Sequence, residues 1–139
     1  MSTAIARAIH AVLSNSTAVQ DVLGTPPRLY DSAPEDPVFP YLSYGTLKSE
    51  DIGGDETHLT SHQITLHLWS RYAGRAEILQ LLETLKTVLN DQANLASFIS
   101  EETLVSASVL YSDVMRASDA RTQHGLLRLS LLTEIGVVA

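Results

Sequence analysis

SHQITLHLWSRYAGRAEILQLLETLKTVL, residues 61–89, changes its hydrophobic period partway along, and that change decides the fold. In its first part Ile64, Leu66 and Leu68 alternate with Gln63, Thr65, His67 and Trp69. A period of two is the mark of a strand with one buried face. From Gly74 onward Ile78, Leu82, Leu85 and Leu89 recur at steps of four, three and four, and Leu81 and Val88 widen the stripe. That spacing gives a helix one apolar face. A strand and a helix joined by a short polar turn bury their apolar faces only against further elements, which the flanking segments must supply.

Working toward the N-terminus, residues 48–57, KSEDIGGDET, carry Gly53-Gly54 among acids with no periodicity, which predicts a mobile hairpin loop. Before it, Tyr41 to Leu47 sets Tyr41, Ser43, Gly45 and Leu47 against Leu42, Tyr44 and Thr46, a strand antiparallel to the one that follows. Asp31 to Pro40 holds three prolines and reads as a stiff surface connection, and Arg28-Leu29-Tyr30 as a brief extended piece. Upstream, Ile5, Ile9, Val12 and Leu13 stripe a first helix. Ser16 or Thr17 can cap a short turn through Val19 and Leu23, which Gly24 and Pro26-Pro27 end.

Toward the C-terminus, Asn90-Asp91 stops the long helix and residues 90–100 form a mixed connection. Thr103 to Met115 is a third long strand, with Val105, Ala107, Val109, Tyr111 and Met115 on one face and Ser106, Ser108 and Ser112 on the other. Residues 116–121 turn the chain. Thr122 to Ile135 is the fourth strand, with Leu127, Leu129 and Leu131 facing away from Leu126, Arg128, Ser130 and Glu134. Leu132 interrupts the polar side, which points to a partner covering part of that face. The order α-β-β-α-β-β predicts an α+β fold of two layers, a mainly antiparallel four-stranded sheet with two helices packed on one face. All of residues 1–139 form a single domain, without repeat or linker.

The totals exclude several function classes. A net charge of −7 without a Lys/Arg cluster leaves no row of cations to grip nucleic acid. The absence of cysteine removes disulfides, thiolate nucleophiles and cysteine-ligated zinc. No apolar run reaches the roughly 20 residues of a membrane span, and no signal-peptide pattern opens the chain, so a cytoplasmic product is expected.

Candidate chemistry is sparse. His58, His62 and His67 lie close together, but the spacing puts His62 and His67 on opposite faces of a strand, so three ligands do not converge. Gly53-Gly54 lacks the Lys-Ser/Thr of a phosphate loop, and Asp51, Asp55 and Glu56 lack the spacing of a calcium loop. With no G-x-S-x-G elbow either, no catalytic residue, metal or cofactor is expected. Asp113, Arg116, Asp119 and Arg121 alternate in sign around the second hairpin turn, a pattern that serves a solvated turn or a charge-matched contact with another copy.

Four stretches together resemble a known family: AIARAIHAVLSNSTAVQDVLG (4–24), RLYDSAPEDPVFPYLSYG (28–45), HQITLHLWSRYAGRAEILQLLETLKTVLND (62–91) and SDVMRASDARTQHGLLRLSLLTE (112–134). They are similar, over nearly the whole chain, to the tail terminator (tail completion) proteins of long-tailed phages and gene transfer agents. The motifs are a Pro-Tyr lead-in to the first strand, a strand running into an acidic-apolar helix, and Asp-x-x-Thr-x-His-Gly before the last strand. The resemblance implies no catalysis. It implies a ring, usually of six copies, capping the head-proximal end of the tail tube, with the tail tube protein and a head-side connector or stopper as partners. DNA would pass through the channel without specific binding, and no membrane is involved. The protein would sit in the cytoplasm of the producing bacterium during assembly and then in the particle. Within such a ring, the alternating charges of Asp113, Arg116, Asp119 and Arg121, with the sheet edges, are the expected ring contacts, and the mobile acidic loop of Lys48, Asp51, Gly53, Gly54, Asp55 and Glu56 the expected tube contact. A head-side stopper or adaptor is the alternative. A small α+β ligand-binding domain or enzyme, built on His67, Trp69 and Tyr44, is the second.

Overall fold

A computed structural model describes residues 2–54 and 58–135. Its elements are α1 (Ser2–Ser14), α2 (Thr17–Leu23), β1 (Leu29–Tyr30), β2 (Tyr41–Asp51), β3 (Leu59–Ser70), α3 (Ala76–Leu89), α4 (Gln92–Ser97), β4 (Thr103–Arg116) and β5 (Gln123–Glu134). The strands form one sheet in the order β1-β2-β3-β5-β4. Every pairing is antiparallel except β1 with β2, which is parallel. The α+β layering follows the sequence, but the sheet is five-stranded and mixed rather than four-stranded. The extended piece after Arg28 adds an edge strand of two residues, held where Leu42 N donates to Arg28 O at 2.9 Å. A further helix, α4, also replaces the irregular connection expected after residue 90; Asp91 caps it by accepting from Asn94 N.

One face of the sheet carries the core. On β3, Ile64, Leu66 and Leu68 face the same way as Leu42 of β2 and Leu127, Leu129 and Leu131 of β5. All are buried. Burying each of these side chains contributes roughly 1.5–3 kcal/mol. Above them lie Ile5, Ile9, Val12 and Leu13 of α1 and Ile78, Leu81, Leu82, Leu85 and Leu89 of α3, the stripes that the helical period marked out. Ser16 is the cap of α2, its Oγ accepting from Val19 N at 3.3 Å. Ser70 at the end of β3 donates to Glu77 Oε1 at 2.6 Å, which fixes where α3 leaves the sheet. Gly125 lets α3 come down: a Cβ there would lie 3.0 Å from Ile78 Cδ1.

Three register shifts alter which side chains face the core. In β2 the ladder skips from Tyr44 to Leu47, so Leu47 joins Leu42 and Tyr44 on the helix side instead of opposing them. In β4 it skips Val105 and Leu110. An extra residue in one strand turns over the alternation beyond it. Leu104, Ala107, Val109 and Val114 therefore pack toward the helices, and Val105, Tyr111 and Met115, expected in the core, are exposed.

Candidate assembly surfaces

Strand β4 ends the sheet and, among the described residues, is paired only with β5. Its other edge presents backbone N–H and C=O groups along a strand of 14 residues. Natural edge strands usually carry lysine, proline or a covering element against unwanted pairing. β4 has two bulges but no lysine or proline. It also holds four of the large apolar side chains that the described residues leave exposed: Val105 at 48%, Leu110 at 49%, Tyr111 at 45% and Met115 at 41%. Val105 and Leu110 are the two bulged residues. The Arg128 guanidinium lies over the Tyr111 ring, 5.2 Å from its centroid. The edge is an apolar, hydrogen-bonding strip without a partner element among the described residues.

The turn from β4 to β5 treats its four charges differently. Asp119 organises the turn itself. Its Oδ1 accepts from Arg121 N at 2.9 Å and Thr122 N at 2.8 Å, and its Oδ2 accepts from Thr122 Oγ1 at 2.7 Å. These bonds, the Thr122 hydroxyl foremost, hold its carboxyl down to about 2. Arg71 reaches the same carboxylate at 3.6 Å. Asp119 is thus a local structural residue. Asp113, Arg116 and Arg121 are exposed and make no ion pair among the described residues. They flank the free end of the β4 edge.

The β2–β3 hairpin is longer and its loop shorter than the sequence implied. Lys48 and Asp51 are strand residues, paired with Gln63 and Thr60. The ladder continues to Ile52 N, which donates to Leu59 O at 3.0 Å. Polar side chains disguise this stretch because the β2 residues from Lys48 to Asp51 are all exposed. Asp51 Oδ1 accepts from Gly53 N, and Gly54 has open space around it. Asp55 and Glu56 lie outside the described residues.

Among the described residues the outer face of the sheet bears no helix, and it carries a row of rings. Trp69 stacks on His124 with centroids 4.0 Å apart, and His67 lies 5.0 Å from His124. Trp69 Nε1 donates to Ser43 Oγ at 2.9 Å. A cleft drawn from His67, Trp69 and Tyr44 does not exist, because Tyr44 projects from the opposite face. There it meets His10 Nδ1 at 2.9 Å and lines a cleft of about 480 Å³ between α1 and β2. Burial, with the charge of Asp31 adding to it, raises the Tyr44 hydroxyl above the usual tyrosine range.

His62 and His67 do face opposite ways. His62 is fully buried on the helix side, in a polar chain that no local pattern of residues marks. Ser49 Oγ meets its Nδ1 at 2.7 Å, its Nε2 meets Thr133 Oγ1 at 3.1 Å, and that hydroxyl donates to Glu102 Oε1 at 2.9 Å. Burial outweighs the nearby Glu102 and lowers His62 below the ordinary histidine value. The 3.7 Å His62–Glu102 contact is therefore polar rather than ionic. A neutral His62 with its proton on Nε2 completes the chain, Ser49 donating to Nδ1 and Nε2–H to Thr133. The chain ties the β2–β3 hairpin to β5 and to the start of β4. Among the described residues no three His, Cys, Asp or Glu converge as metal ligands.

A family model described as Tail completion protein gp17 matches residues 7–134. No curated protein is matched. Among solved structures, a chain in one titled "Virion of native gene transfer agent (GTA) particle" superposes with a TM-score of 0.76 at 19% identity, over 91% of each chain. At that identity the likeness is one of fold.

Proposed function

The chain belongs to the tail completion protein gp17 family, and from that premise we propose that it is a non-enzymatic tail terminator. In this reading, copies close into a ring, six in number as the resemblance implies, on the head-proximal end of a tail tube. The ring stops tube growth and offers the surface to which a head-side connector or stopper joins. The observation that carries the reading is β4: a strip with unpaired backbone groups and four exposed large apolar side chains. Such a strip suits permanent contact better than lasting exposure.

Ring contacts use the β4 edge with Arg116 and Arg121 beside it, against a different surface of the next copy, since unlike patches are what close a ring. The tip of the β2–β3 hairpin, Gly53 and Gly54 with its acidic neighbours, faces the tube protein. A net charge of −7 suits a channel that DNA traverses without sticking. The protein works first in the producing bacterium and then in the particle.

Electron microscopy of particles assembled without this chain tests the role. Overlong tails or polytubes are expected. Normal tails beside heads that leak DNA would replace the terminator role with that of a head-side stopper.

A further inference from the structure

Adjacent strands β3 and β5 bring two imidazoles together on the outer face. His67 Nδ1 and His124 Nε2 are 2.8 Å apart, with the rings tilted by 32°. They are diagonal neighbours: Trp69 pairs with His124 and His67 with Leu126. Both are half-buried. The other edge of His67 is closed by β2, since a Cβ on Gly45 would sit 2.6 Å from its Nε2. Nδ1 is therefore the atom His67 offers. At contact distance the two nitrogens share a single proton, one donating to the other.

We propose that His67 and His124 form a two-imidazole site for a divalent transition metal of tetragonal preference, Cu²⁺ ahead of Ni²⁺ and both ahead of Zn²⁺. The cation takes the place of the shared proton, which passes through solvent to the other ring nitrogen of the donor so that both imidazoles stay neutral, and solvent ligands complete the coordination. Imidazole nitrogen is the commonest protein ligand for these metals. The separation selects among them. Metal–nitrogen bonds of about 2.05 Å meeting at about 90° put the nitrogens about 2.9 Å apart, close to the observed 2.8 Å. A tetrahedral angle spreads them to about 3.3 Å, further from the observed separation. The net charge of −7 draws cations to the surface. The site does not depend on the assembly reading.

Trp69 is the only tryptophan and stacks on His124 at 4.0 Å, so it reports directly on a paramagnetic ion bound there. Titrating the full chain with CuCl₂ at pH 7.5 is expected to quench its fluorescence saturably at one equivalent. The midpoint should move at least tenfold higher in His67→Gln and in His124→Gln, and stay put in His10→Gln and His58→Gln. ZnCl₂ should compete at least tenfold less well than CuCl₂. Absence of saturable quenching, unmoved midpoints in the His67 and His124 variants, or zinc matching copper would overturn the site. Electron paramagnetic resonance of the wild-type Cu²⁺ complex gives a readout that does not require either variant to fold. Coupling to two nitrogens is expected, and coupling to one or none refutes the site.

Discussion

Replacing His62 with alanine should be among the most damaging single changes in this chain, although no charge pair is lost. The ring is fully buried between the sheet and the helices. Deleting it leaves a cavity worth about 2–3 kcal/mol, by comparison with large-to-small core substitutions. Loss of the hydrogen bond onto Thr133 Oγ1 adds about 1 kcal/mol, whereas Ser49 is exposed and its hydroxyl is not stranded by the change. The expected loss is about 3–4 kcal/mol. Glu102→Gln should behave differently. Its Oε1 still accepts from Thr133, and the change removes a buried carboxylate whose Oε2 has no hydrogen-bond partner among the described residues. Stability should stay within about 1 kcal/mol of wild type.

Urea unfolding followed by Trp69 fluorescence measures both variants. If His62→Ala lies within about 1 kcal/mol of wild type, the polar chain is incidental. If Glu102→Gln loses the roughly 3–5 kcal/mol typical of a broken buried ion pair, His62 is charged and the assignment is wrong. The pH dependence follows from the same assignment. His62 is lowered from 6.5, so the unfolded chain binds a proton more readily than the folded one. The stability it contributes is full above pH 6.5 and declines as pH falls through that value toward the lower folded one, by at most about 1.4 kcal/mol per pH unit. His62→Ala should remove this share of the slope.

Gly125→Ala should destabilise by about 1–3 kcal/mol in the same assay, because the new methyl forces Ile78 and α3 outward. Asp119→Ala should speed hydrogen exchange at the Arg121 and Thr122 amides while the core amides keep their protection. In the wild type that turn should hold as pH falls through 3.8 and loosen only near 2, since its carboxylate is stabilised in the folded state. Leu110→Lys should leave urea stability within about 0.5 kcal/mol, as that side chain is a half-exposed bulge residue; ring formation on tube ends should be abolished. Charge reversal at Arg116 and Arg121 should weaken self-association in native mass measurements, and unchanged assembly would remove that turn from the interface.

What a sequence discloses here depends on whether each element keeps a regular period. α3 and the inner face of β3 and β5 do, so the spacing of Ile78, Leu82, Leu85, Leu66 and Leu127 is enough to place them in the core, where they lie. β4 does not. Its bulges at Val105 and Leu110 interrupt the alternation, and counting in twos places Val105, Tyr111 and Met115 inside when they are out. The bulges thereby conceal the most telling surface of the molecule, although the lack of lysine and proline in that strand is in plain view. β1 and α4, of two and six residues, are too short to show any period. The Ser49–His62–Thr133–Glu102 chain and the His67–His124 pair depend on which strands lie side by side. Residues 71 and 57 positions apart meet in them, and nothing local to either partner marks the contact.

In the proposed ring the free edge of β4 is covered by another copy. A cryo-electron microscopy map of the head-proximal tail end, resolved well enough to trace side chains, tests it most directly. It should hold a ring of this chain with Leu110 and Tyr111 buried between neighbours. A tail end without this chain, or a ring in which those two side chains face solvent, would contradict it.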